Sequence, residues 1–257
     1  MSHFTVGVIV PNFVALEYQD HPEKPTLNEQ AIDMFVNAAL QRYNESLHVQ
    51  PYNETCYCVG NKAMLAMHDY AEDITGGYSG ARSVYWALPE EERTQEKWAE
   101  LIAPIEAAEK QYKAEHEADF LAVDPECSFC HGTGLYETKY NPESQWDWYV
   151  VGGRWDGDMV DNPQESENGF NFGAQHHTFV NNTLPVAELI KRYEADPEKL
   201  YTFFALVTPD GEWHESGSMG WWGIVTDEKK PEDWRSFVAE TYLKYQNCYI
   251  VSIDAHI

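Results

Sequence analysis

Two short cysteine pairs, each followed by a glycine, constrain this chain more than any other feature. The first is Cys56-Tyr57-Cys58-Val59-Gly60, and the second is Cys127-Ser128-Phe129-Cys130-His131-Gly132-Thr133-Gly134. Neither pair alone can close a tetrahedral shell, so a metal-holding reading requires the fold to bring residues some seventy positions apart into contact. Glycine after a thiolate lets the backbone turn so that amide N–H groups face the sulfur and offset its charge. The sequence therefore predicts one structural zinc held by Cys56, Cys58, Cys127 and Cys130, with His131 as an alternative fourth ligand. A closed four-sulfur shell is structural and leaves no open position for catalysis. Buried, metal-free thiols are the competing reading. Cys248, the fifth cysteine, falls in an apolar terminal segment and reads as core.

The odd number of cysteines and their C-x-C and C-x-x-C spacing fit a reducing compartment better than a disulfide framework. The first residues lack the basic region and cleavage site of a secretion signal, and no stretch of eighteen apolar residues is present. The expectation is a cytoplasmic location.

Charge limits the partners. Forty-three acidic residues against seventeen basic ones leave a formal net charge of −26. Such a chain repels phosphate backbones, so direct nucleic-acid binding is not expected, while a basic protein surface would be attracted. General solubility is the simpler cause of the same charge. Aromatics make up 14% of the chain, enough both for the core and for a concave ligand surface.

Along the chain, His3–Val10 alternates as a strand. Thr26-Leu27-Asn28-Glu29 has the form of a capping box, with Ile32, Phe35, Val36, Ala39 and Leu40 following at helical spacing. Helices are expected over about 61–73, stopped by Gly76-Gly77, and over about 89–122, where Trp98, Leu101, Ile105 and Ala108 make a stripe. Residues 124–142 read as a cysteine-rich loop. Strands are expected over 149–151 and 155–160 around Gly152-Gly153, and residues 161–182 read as a polar excursion. A short helix over 185–195, a strand over 201–208, a turn at Pro209-Asp210-Gly211-Glu212 and a returning strand over 213–215 follow. A helix over 231–245 and a strand over 248–257 close the chain. Helices and strands do not alternate strictly, so the fold class is α+β, with a mixed, partly antiparallel sheet, flanking helices and a small zinc-binding loop insertion. It is read as a single domain, 1–257, with its terminal strands as sheet neighbours.

Three further runs can carry chemistry. Trp146-Asp147-Trp148-Tyr149-Val150-Val151-Gly152-Gly153-Arg154-Trp155-Asp156-Gly157 sets Arg154 among Trp146, Trp148 and Trp155, with two aspartates in reach. The arginine can pair with Asp147 or Asp156, or clamp a phosphate or carboxylate. Met219-Gly220-Trp221-Trp222-Gly223 adds Trp221 and Trp222 to the candidate ligand surface. In the terminal Asp254-Ala255-His256 the carboxylate and imidazole share a strand face, as an oriented base needs. His3-Phe4-Thr5 and His176-His177-Thr178 each match the H-x-T pattern of two-histidine phosphoesterases. Walker, G-x-G-x-x-G, G-x-S-x-G and H-E-x-x-H patterns are absent from the sequence.

Met1-Ser2-His3-Phe4-Thr5-Val6, the C-Y-C-V-G run, N-P-x-S-x-W-D-W-Y-x-x-G-G-R-W-x-G, M-G-W-W-G and the closing D-x-H-I together resemble an uncharacterised family of phage and bacterial proteins. In that pattern a cysteine often stands between the terminal Asp and His, where this chain has Ala255. The resemblance implies a phage or prophage accessory gene and no particular activity. The expected function is a non-enzymatic acidic protein that binds a host partner and inhibits a bacterial antiviral defence system. Its partner would be a host protein with a basic surface, or a nucleotide-like small molecule sequestered by the aromatic pocket. A homo-oligomer is compatible with either. The alternative is a phosphoesterase or nucleotide-acting enzyme, which requires His3, His176, Arg154, Asp254 and His256 to converge.

Overall fold

The computed structural model describes residues 2–17, 26–160, 179–220 and 223–257. The main elements, in chain order, are β1 (His3–Val10), α1 (Glu29–Gln41), β2 (Tyr52–Thr55), α2 (Asn61–Thr75), α3 (Gly77–Ala87), α4 (Gln95–Glu115), β3 (Leu135–Thr138), β4 (Trp148–Val151), β5 (Thr183–Pro185), α5 (Val186–Ala195), β6 (Ala205–Val207), β7 (Trp213–Glu215), α6 (Pro231–Lys244) and β8 (Tyr249–His256). The fold is α+β, with a mixed sheet and flanking helices. Where the sequence suggests one domain with a loop at about 124–142, the chain divides into two compact units, residues 1–49 with 140–257, and residues 50–139. The cysteine loop is part of the second unit. No described helix is long and apolar enough to cross a membrane.

The first unit is built on a sheet in the order β4-β8-β1-β6-β7, with β5 also on β8. The terminal strands are neighbours as expected: β1 runs antiparallel to β8 from His3 opposite His256 to Val10 opposite Tyr249. The β1–β6 pairing is parallel, and the hairpin of β6 and β7 is antiparallel.

Opposite residues in an antiparallel pair share a face, so the alternation of β1 sorts its side chains into two cores. Phe4, Val6, Val8 and Val10 pack with Val251, Ile253 and Ala255 and with Ile32, Val36 and Leu40 of α1. On the other face, Ile9, Leu206 and Ile250 pack with Leu189 of α5 and with Trp234, Val238 and Tyr242 of α6. Each such side chain, fully buried, contributes about 1.5–3 kcal/mol. Gly7 lies on this second face because a Cβ there would stand 2.7 Å from Phe203 Cδ2 and 2.9 Å from Ile250 Cδ1. Towards the ends of the strands this same face changes from apolar to polar: Thr5 and His3 on β1 lie opposite Asp254 and His256 on β8.

In the second unit β2 pairs antiparallel with β3, and α2, α3 and α4 pack around Ala71, Ala81, Ile105 and Ala108. Several local readings change here and elsewhere. The helix expected over 89–122 is a short turn at Glu90–Glu92, then α4, then a turn at Glu117–Leu121, because the Thr94 hydroxyl accepts from Lys97 N–H and caps a new start. The chain resumes a helix immediately after Gly76, which takes φ 81°, so α3 was not anticipated from its glycine-rich start. The cap of α1 is Asn28, whose side chain accepts from Ala31 N–H at 3.0 Å, while Thr26 is in a short strand pair. Residues 155–160 form tight turns rather than a strand. Gly152, Gly153 and Gly157 all take positive φ, and Asn182 Oδ1 accepts from Gly157 N–H.

Candidate metal centre and polar cluster

The cysteine pairs meet as predicted. The Sγ atoms of Cys56, Cys58, Cys127 and Cys130 all lie within 4.8 Å of one another, the Cys56–Cys127 separation is 3.8 Å and the Cys58–Cys130 separation 3.5 Å. Four Zn–S bonds of 2.3 Å at tetrahedral angles put sulfurs about 3.8 Å apart, and these two separations match that edge. The β2–β3 pair brings the two knuckles together, ending with Thr55 opposite Leu135, and Cys56 N–H donates to Gly134 O at 2.9 Å.

The glycines do what their spacing suggests. Gly60, Gly132 and Gly134 all take φ between 71° and 75°, a region open to glycine at little cost. Gly134 N–H then points at Cys130 Sγ, 3.3 Å away. Electrostatics divides the thiols. Burial pushes Cys58 up to about 12 and also raises Cys56. Burial opposes ionisation of Cys130 too, but the Gly134 N–H and the neighbouring thiols outweigh it and bring that group down to about 6. Backbone N–H groups of Cys130 and Phe129 lower Cys127. His131 is exposed and lies outside the group of four, so among the described residues the thiols alone are the donors that could hold an ion here. Cys248 is half-buried beside the second core of the first unit.

Above the thiols sit aromatic rings. Tyr57 and Phe129 are 68% and 52% exposed with centroids 5.6 Å apart, and Phe129 meets Tyr136 at 4.9 Å. Tyr136 donates its hydroxyl to Glu54 at 2.6 Å.

The first unit holds a second arrangement at the polar end of its sheet. His3 Nδ1 lies 2.8 Å from Asp254 Oδ1, and the other oxygen of Asp254 accepts from Arg154 N–H at 3.0 Å. His256 Nδ1 lies 2.6 Å from Asp147 Oδ1, which also accepts from Trp148 N–H at 2.7 Å. The two imidazoles meet edge to face at 5.1 Å, and Trp148 stacks on His256 at 4.9 Å while touching the edge of His3 at 5.2 Å. The side chains of His3, Asp254 and His256 are between 3% and 6% exposed. Asp254 and His256 share a strand face, as expected, but each is bonded to a different partner rather than to the other.

Several sequence motifs thus converge. Gly153 is required by the cluster, since it has φ +56° and a Cβ there would overlap the Asp254 side chain. Ser2 donates to Gly220 O at 3.3 Å and accepts from Gly223 N–H, tying the chain start to the M-G-W-W-G segment. Trp146, expected at a ligand surface, is instead core: it is buried and its indole N–H donates to Leu40 O at 3.0 Å. Trp155 is half-buried, Trp148 is 37% exposed and Arg154 is exposed. His176, Trp221 and Trp222 lie outside the described residues. Asp147 was weighed in the sequence only as a partner for Arg154; its role in holding His256 depends on a contact across 109 positions that no local pattern announces.

No family model matches this chain, and neither a curated protein nor a solved structure matches it.

Proposed function

We propose that this is a zinc-stabilised, acidic binding protein of a phage or prophage, and that the unit of residues 50–139 presents its contact surface. The observation that carries the reading is the four-thiol cluster lying beneath exposed aromatic rings. A closed Cys₄ shell has no vacant position for chemistry, so its role is to hold a small, loop-rich surface in shape. Large exposed aromatics on such a surface are the usual anchors of protein contacts.

The net charge of −26 supports a basic partner, which long-range attraction would steer onto the protein. Exposed Glu96, Glu100, Glu106 and Glu115 on α4 add carboxylates in the same unit. The resemblance to phage and bacterial proteins supports a host target, such as a component of an antiviral defence system, with the host cytoplasm as the place of action.

The test is capture from bacterial lysate on the immobilised protein, with bound material eluted by a salt gradient. The expected result is a basic protein that is retained at physiological salt, elutes as the salt is raised above it, and is no longer retained after Glu96, Glu100, Glu106 and Glu115 are reversed to Lys, because the attraction between exposed charges is screened. Retention that is indifferent both to salt and to charge reversal would overturn the electrostatic part of this reading.

A further inference from the structure

The two cysteine knuckles border a cavity of about 260 Å³. Cys58 and Cys127 line it, together with Tyr57 and the charged side chains of Lys62, Asp124 and Glu126. Pockets that enclose an organic ligand hold roughly 300–1,000 Å³. This one is smaller, and a single side chain fits it better than a nucleotide.

The lining favours a cation. Four thiolates around one divalent ion keep two negative charges in excess, and two of the four sulfur residues border the cavity. Asp124 Oδ1 accepts from Glu126 N–H at 3.1 Å and meets Lys62 Nζ at 3.1 Å, which leaves Oδ2 for another donor. Glu126 is exposed and makes no ion pair among the described residues. The Lys62 side chain is 76% exposed, so only a weak surface contact holds it at Asp124. Tyr57 adds an aromatic ring that is 68% exposed. A guanidinium can use all of these together, stacking on the ring while its planar fork donates to several acceptors, whereas an ammonium is a point charge. The surface beside the cavity is apolar. Phe129, 52% exposed, lies 5.6 Å from Tyr57. Leu121, 75% exposed, precedes Ala122, whose carbonyl accepts from Gly60 N–H at 2.9 Å and so ties that segment to the first knuckle.

We propose that this cavity takes an arginine side chain, flanked by apolar residues, from a basic partner protein. The inference rests on the reading of residues 50–139 as a protein-binding surface and adds the residue type which that surface selects. The guanidinium joins or displaces Lys62 at Asp124, meets Glu126 and packs on Tyr57, while its apolar neighbours cover Phe129 and Leu121. Arginine and tyrosine are the residue types that most often dominate such contacts. The net charge of −26 draws the positive segment in, and the cavity then discriminates arginine from lysine by shape.

The probe is the blocked pentapeptide acetyl-Gly-Leu-Arg-Leu-Gly-amide, titrated into the full-length protein and followed by backbone amide resonances. The same peptide with lysine or citrulline at its centre is titrated alongside. Resonances of Tyr57, Glu126 and Ser128 should shift with the arginine peptide. The lysine peptide should bind about threefold or more weakly, having lost the stacked, forked geometry. The citrulline peptide keeps the planar head without its charge and should leave the resonances in place. Tyr57→Leu and Glu126→Gln should each weaken the arginine peptide by about threefold or more. Lys62→Gln should strengthen it by about twofold or more, because a competing cation is gone, and damage to the fold would not produce a gain. Metal content and thermal melting check that the variants stay folded. Equal binding of the arginine and lysine peptides, no shift of these resonances, or a shift produced instead by adenosine monophosphate would each overturn the proposal. A basic protein captured from lysate equally well by Tyr57→Leu and Glu126→Gln would also overturn it while leaving the broader reading in place. A lysate that yields no such protein, with the arginine preference intact, would overturn that reading and leave the arginine site standing.

Discussion

His3 and His256 stand directly opposite each other across the first and last strands of the chain, with ring centroids 5.1 Å apart and planes at 76°. Each ring is held by a different carboxylate. The pair is therefore sensitive to the removal of either support, and the support of His3 is the more deeply placed, its carboxylate side chain being 3% exposed.

Asp254→Ala should destabilise the first unit by about 1–3 kcal/mol for each donor stranded, because it leaves His3 and the Arg154 N–H without an acceptor in a dry site. Asp254→Asn keeps an acceptor oxygen and should cost clearly less. Gly153→Ala should approach the alanine variant in severity, since it adds a positive-φ penalty to an overlap with the same carboxylate. Denaturant unfolding of the three variants ranks them; a mild Asp254→Ala would mean that the pairing is not maintained in solution.

Three phenols predict how stability depends on alkaline pH. Burial pushes Tyr149 and Tyr201 up to about 12 and raises Tyr242 further, the last with its hydroxyl donated to Tyr201 O at 2.8 Å. A phenol whose pKa is raised by folding binds its proton longer in the native state than in the unfolded one. The stabilisation is complete below the ordinary value of about 10 and is lost as pH rises through the folded values. The melting temperature should therefore hold up to about pH 10 and fall beyond it, with phenolate absorbance rising alongside unfolding. Tyr242→Phe should remove part of that fall.

Cys127→Ser and Cys248→Ser make an internal comparison. The first opens the four-thiol cluster and should loosen residues 124–142, visible as faster amide exchange and earlier proteolysis there. The second touches only the margin of a core and should change stability by about 1 kcal/mol. Equal effects would reduce Cys127 to an ordinary buried thiol.

Much of this fold was legible in the sequence, for identifiable reasons. The alternation of Phe4, Val6 and Val8 against Thr5 and Gly7 specifies a strand, and the β-branched closing segment supplies its neighbour; that both faces of the strand are covered is visible only in the structure. The cysteine cluster was legible because glycine spacing restricts what a thiol pair can do. The polar cluster was only half legible. Asp254 and His256 share a face by strand periodicity alone, but their partners, His3 and Asp147, lie 251 and 109 positions away. The run from 155 to 160 looked like a strand from its Trp, Met and Val, yet the positive-φ glycines on either side of Trp155 bend it into turns. α3 was hidden by Gly77 and Gly80, which weaken helix propensity without forbidding a helix that packs through Ala81.

The central claim is the metal, and its most direct test is the elemental content of the purified protein together with the protons released on loading. The protein should carry one zinc per chain and lose it on Cys→Ser replacement at position 56, 58, 127 or 130. Loading the metal-stripped protein at neutral pH should release at least two protons, those that burial keeps on Cys56 and Cys58, while Cys130, near 6, is already ionised. Affinity should fall throughout as the medium is acidified, and more steeply below the value of Cys130. A protein that purifies without metal, and whose thiols react freely with and without added zinc, would contradict the account.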